Sequence, residues 1–194
     1  MNKIAFIILQ FCVTFIFSQN AVKHSSYTME NPKKSYNIML GYDNTPALES
    51  ILINAQSEDP IFTKSTLIFK KDQLTEFINY LKFILDKKNE WDVINLKNKT
   101  TEVTKKIDYP NGDVYAGCVY SGGPVITKTY LYSIYSYIKN GSGIQVSTAG
   151  GSEAEPTYIF FPNTKSLQSF ISKLDEEKIN QTIQNDFKKL NILK

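Results

Sequence analysis

The chain has 194 residues, of which 42% are hydrophobic, 21% charged and 13% aromatic, and its formal net charge is +3. Twelve Tyr and 12 Phe exclude the aromatic-poor, highly charged composition of a disordered chain. The length suits one domain whose core needs neither disulfides nor a metal. Every basic residue apart from His24 is Lys, as an AT-rich genome favours, and no Arg is present. The bidentate guanidinium contacts that read phosphate and guanine are therefore missing. With so small a charge, nucleic acid is not an expected partner.

Lys3 precedes an apolar run, Ile4 to Phe17, interrupted only by Gln10 and Thr14. About 14 residues are too few to span a ~30 Å hydrocarbon core as a helix, but they fit the apolar region of a signal peptide. Ser18 is the small residue at its end, so residues 1–18 are expected to be removed, although Ile16 is bulkier than such sites prefer. Cys12 follows Gln10 and Phe11 rather than small residues, which argues against lipid attachment. The expected product is secreted or periplasmic, with no membrane span left after cleavage.

The mature chain begins with a polar stretch, residues 19–34, expected as a flexible tail before a single domain over 35–194. Tyr36 to Tyr42, Leu48 to Ala55 and Ile61 to Phe69 read as strands. A helix follows from about Asp72 to Lys88, with Asp72 as a cap. Leu74, Phe77, Ile78, Leu81, Ile84 and Leu85 form its apolar stripe. Trp91 to Leu96 and Thr100 to Tyr109 are further strand candidates. Pro110-Asn111-Gly112-Asp113 predicts a hairpin turn into Val114 to Tyr120. Strands Val125 to Ile138, Ile144 to Thr148 and Thr157 to Phe161 follow, separated by turns at Ser121–Pro124 and Asn140–Gly143. The C-terminus is helical, with a change of phase near Asp175 to Glu177. Tight turns pair strands antiparallel, so the expected class is α+β. The expected form is a meander sheet, curved or two-layered, packed by one central helix and C-terminal helices. Leu167, Phe170, Ile171 and Leu174 echo Leu74, Phe77, Ile78 and Leu81 in type and spacing, as two strand-then-helix halves would.

Candidate chemistry is sparse. With Cys12 removed, Cys118 is the only cysteine, set among apolar residues as a buried small hydrophobe would be. His24 lies in the predicted tail, so a Cys-His or Ser-His device lacks a positioned base. Asp108, Asn111 and Asp113 surround one turn; they offer oxygen ligands to calcium but are also natural turn formers. Asp108, Asp113, Glu153 and Glu155 are carboxylates near turns, from which a hydrolase could draw a pair. No catalytic residue, metal ligand or cofactor stands out. The unusual feature is tyrosine density on the 125–138 strand, where Tyr130, Tyr132, Tyr135 and Tyr137 leave both faces partly apolar. One face should pack on helices, and the other is either covered by an opposing sheet or offers rings to a protein or glycan partner. The leading expectation is an exported, non-catalytic binding domain. A carboxylate hydrolase acting outside the cytoplasm and a structural envelope component are the alternatives.

Overall fold

The computed structural model describes residues 20–29, 34–139, 141–150 and 155–192; the expected signal peptide and Glu153 lie outside them. Strands β1 (Asn20–Met29), β2 (Lys34–Tyr42), β3 (Leu48–Ser57) and β4 (Lys64–Lys70) lead into helix α1 (Lys71–Lys97). Strands β5 (Glu102–Ile107), β6 (Tyr115–Tyr120), β7 (Val125–Ile138), β8 (Gly141–Thr148) and β9 (Thr157–Phe161) lead into α2 (Thr164–Ser172) and α3 (Glu176–Ile192). The fold is α+β, with every strand pairing antiparallel. No helix of the described residues is long and apolar enough to cross a membrane.

The strand order is β1-β2-β3-β4-β6-β7-β8-β9, and the sheet curls until β9 meets β3 at Gln56↔Tyr158 and Ser57↔Thr157. One face is continuous around this curl. Tyr27 pairs with Tyr36, Ile38 with Ile53, Ile53 with Leu67, and Leu67 with Cys118; all are buried. The helices pack on this inner face. Phe77 of α1 stacks on Phe69 at 3.9 Å between ring centroids, and Phe170 of α2 packs on Phe161 at 5.2 Å. Thr157 crosses the interior, where its hydroxyl meets Cys118 Sγ at 3.2 Å and donates to Ser65 Oγ at 2.9 Å.

The two strand-then-helix segments share an order of elements. Each is a four-stranded meander, β1–β4 or β6–β9, whose last strand carries a Phe at or next to its end (Phe69, Phe161) and is followed by a helix. The echoed positions have matching burial: Leu74, Phe77 and Leu81 are buried with Ile78 half-buried, and Leu167, Phe170 and Leu174 are buried with Ile171 half-buried. The segment joining the halves contains β5, which pairs only with β7.

Three expectations are corrected. Residues 20–29, expected as a tail, form strand β1. Its apolar pattern is thin, because only Tyr27 and Met29 are buried, and the backbone ladder to β2 carries the rest. His24 pins the strand from the side: Nε2 donates to the Lys173 carbonyl at the end of α2, and Nδ1 lies 2.8 Å from Thr182 Oγ1 of α3. Trp91 to Leu96, expected as a strand, belongs to α1. The inward stripe of this helix continues past Ile84 as Lys88 and Asn95, both buried, so polar residues occupy core positions and hide the helical period. The helix also starts before Asp72, with Lys70 N–H donating to Gln73 Oε1 at 2.8 Å.

Candidate functional site

The Pro110–Asp113 turn does not make a hairpin. A two-residue type I′ turn needs positive φ at both central residues. Gly112 has φ +95°, whereas Asn111 is not in the left-handed region. Strands β5 and β6 instead run in the same direction along one edge of β7. β5 pairs with Ser133–Ile138 and β6 with Val125–Tyr130, and the Leu131 N–H donates to the Val114 carbonyl at 2.8 Å. Residues 108–113 are therefore an excursion out of the sheet, opposite Leu131 and Tyr132.

Beneath this excursion lies a half-open cleft of about 160 Å³, lined among others by Tyr80, Lys106, Asp108, Tyr109, Asp113, Tyr130 and Tyr132. The pleat of β7 sorts its side chains cleanly. Thr129, Leu131, Ser133, Tyr135 and Tyr137 are buried, while their even-numbered neighbours are half-buried or exposed. The four candidate tyrosines thus part company. Tyr130, 46% exposed, and the half-buried Tyr132, both at outer-face positions of β7, line the cleft. Tyr135 and Tyr137 are in the core, away from any ligand face. Both faces of β7 looked apolar in sequence because inner and outer rings alternate on one strand.

The cleft is electrostatically mixed. Lys106 Nζ lies 3.6 Å from Asp108 Oδ1. Asp113 Oδ2 accepts from the Tyr115 hydroxyl at 3.1 Å, and Lys128 Nζ sits 4.0 Å from the centre of the Tyr115 ring. The Asp113 carboxylate in turn raises the Tyr115 hydroxyl above its ordinary range. Tyr109 packs edge-on against Tyr80 and Phe83. Its hydroxyl is raised chiefly by loss of water, with the Glu76 carboxylate acting in the same direction.

The other candidates lie elsewhere. Glu155 is beside Asp59 and Tyr120: its backbone N–H is 3.4 Å from Asp59 Oδ2, and its carbonyl accepts from Tyr120 at 2.7 Å. Asp59 also accepts from the Ile61 and Phe62 N–H groups, which hold its carboxyl below the usual range. Cys118 is fully buried, and burial pushes its thiol up, so it is poorly ionised. The ring nitrogens of His24 are taken by Lys173 and Thr182. Among the described residues, no group of three or more His, Cys, Asp and Glu side chains is placed to hold a metal ion.

A second polar cluster escaped sequence reading. Lys88 of α1 is 2% exposed, and its ammonium donates to Asp92 Oδ2 and Ser142 Oγ at 2.6 Å each and to Thr164 Oγ1 at 3.3 Å. Tyr135 donates to Asp92 Oδ1 at 2.8 Å and accepts from Asn95 at 3.0 Å. Burial alone would raise the Asp92 carboxyl, but hydrogen bonds from Lys88, Ser142 and Tyr135 outweigh it and hold the group below the usual range. These partners tie α1 to β7, β8 and α2. An i, i+4 Lys–Asp pair is ordinary on a helix surface, so its spacing gave no signal of burial.

No family model matches the chain, and no match was found among curated proteins or solved structures.

Proposed function

We propose that the chain is a non-catalytic binding domain that works after export, and that the cleft beside β7 is its ligand contact. One observation carries this reading: Tyr130, a large ring left 46% exposed, stands at a cleft that also gathers Tyr132, Asp108 and Asp113. Exposed aromatic rings beside hydrogen-bonding groups at a concavity are the usual composition of a recognition site. Export rests on the apolar run before Ser18 and the lysine ahead of it. The test is a thermal-shift screen of the chain from Gln19 onward, which holds every described residue, against glycans, peptides and calcium. A ligand at 100 times its Kd adds about 2.7 kcal/mol, or about 5–10 °C for a domain of this size. No shift with any class would defeat the cleft as a small-ligand site.

A second reading is a hydrolase, favoured by the placement of two carboxylates, Asp108 and Asp113, on the same cleft. It requires turnover by the wild-type chain that Asp108→Asn and Asp113→Asn both abolish. Binding without turnover supports the first reading.

A further inference from the structure

Resting on the cleft as the binding site, we infer that its ligand is an uncharged saccharide, one ring of which lies on Tyr130. Charges of both signs stand in or beside the cleft, with neither in excess. Lys106 is 3.6 Å from Asp108. Asp113 is held by Tyr115, whose ring carries Lys128 at 4.0 Å. The Asp108 and Asp113 carboxylates are thus matched in number by the Lys106 and Lys128 ammonium groups. A cationic ligand would meet both lysines, and an anionic one both aspartates.

What this surface offers without rearrangement is acceptor oxygens, N–H and O–H donors, and ring faces. A pyranose presents the complement: hydroxyl groups around its rim and C–H bonds on one face, which settle on the electron-rich face of an aromatic ring. Carboxylates with free lone pairs accept from neighbouring hydroxyls. The direct register Tyr115↔Tyr130 sets two rings side by side on the outer face, with Tyr132 two residues along. Size agrees. About 160 Å³ equals the share of about five water molecules, well under the ~300 Å³ at which pockets for drug-sized ligands begin. Since the cleft is open on one side, a longer chain can continue out of it.

The experiment is titration calorimetry on the chain from Gln19 onward with neutral tetrasaccharides of glucose, N-acetylglucosamine, mannose and galactose. Tetralysine and tetra-aspartate peptides serve as the charged arm. The expected result is heat of binding with a Kd below about 1 mM for at least one saccharide and none for the charged peptides. Tyr130→Ala should weaken binding about tenfold, while Tyr130→Phe and Tyr130→Trp, which keep a ring, retain it. Tyr130 is nearly half exposed, so all three variants should keep the wild-type Tm, which is measured alongside. Saccharide binding that Tyr130→Ala leaves intact would overturn the inference. A charged peptide that binds where every saccharide fails would overturn the saccharide class and keep the cleft. Failure of every probe would overturn both.

Discussion

Replacing Lys88 with alanine tests whether the buried polar cluster, rather than apolar contact alone, locks α1 to the sheet. The ammonium has all three protons engaged, by Asp92, Ser142 and Thr164, and is 2% exposed. Removing one partner of a buried ion pair costs about 3–5 kcal/mol, because the other charge is left without compensation. Asp92 keeps 23% exposure and the Tyr135 hydroxyl, which sets the expected loss near the lower end, about 3 kcal/mol. That corresponds to a fall in Tm of about 6–12 °C, or a drop of ~1–1.5 M in the urea midpoint for a slope of ~2–3 kcal/mol/M.

Equilibrium urea unfolding followed by circular dichroism reads this directly. Pairing Lys88→Met with Asp92→Leu should recover more than half of the loss, since an apolar pair leaves no stranded charge. The sign with pH is fixed as well. Asp92 is held below its unfolded value, so its contribution is full above about pH 4 and is lost as pH falls through the folded value. The alanine variant should therefore approach the wild type in acid. A loss under about 1 kcal/mol at neutral pH, with an unchanged slope, would refute the reasoning.

Other expectations follow from single contacts. His24→Ala removes both bonds between β1 and the α2–α3 corner; at ~0.5–1.5 kcal/mol each, urea unfolding should show a loss of about 1–3 kcal/mol, with amide exchange rising first in β1. Tyr36, Tyr80 and Tyr120 are pushed up to about 12, chiefly by burial. Raised folded values mean stability that is complete below about pH 10 and lost as pH rises toward 12. The last part of the tyrosine ionisation followed by absorbance, that of these buried hydroxyls, should therefore coincide with unfolding. Gly112→Ala forces a side chain into φ +95° and should cost about 1–2 kcal/mol, with NMR shift changes concentrated at Tyr109, Tyr130 and Tyr132. Cys118 should resist alkylation by iodoacetamide in the folded protein and react fully in denaturant, because it is buried and its thiol is raised.

The order of strands was largely legible because most carry strong patterns. Alternation over 36–42 and apolar runs at 48–55 and 114–120 survive as β2, β3 and β6. Glycine turns at 121–124 delimit β6 and β7, with Gly122 at φ +76°. What the sequence concealed has one physical cause. Where buried positions are polar, periodicity vanishes: Lys88 and Asn95 broke the stripe of α1, and β1 buries little beyond Tyr27 and Met29. Two of the four candidate tyrosines reached the cleft, Tyr130 and Tyr132, and two went to the core, Tyr135 and Tyr137. Period 2 splits even from odd positions, but ring chemistry is the same on both faces, so the sequence could not say which pair was inward. Lys106 and Tyr109 gave no signal at all, since their role depends on β5 and β6 sharing an edge.

That shared edge also explains where the cleft arises. If the fold is two meander-and-helix halves, the segment between them has to travel from the end of α1 at Lys97 to the start of β6 at Tyr115. β7 is 14 residues long, whereas β6 covers only its first part. The remaining length of β7 would be an open edge, prone to pairing with another chain. β5 fills it, from Glu102↔Ile138 to Ile107↔Ser133. Two collinear strands on one edge cannot be joined without an excursion, and residues 108–113 are that excursion. The cleft lies where the exposed part of this joining segment, with Lys106, Asp108 and Asp113, stands over β7. Substitutions at Lys106, Asp108 and Asp113 should for that reason alter binding while leaving Tm within about 1–2 °C, since exposed surface changes stay within ~0.5 kcal/mol. A large fall in Tm on Asp108→Ala would mean that the excursion supports the sheet rather than stands apart from it.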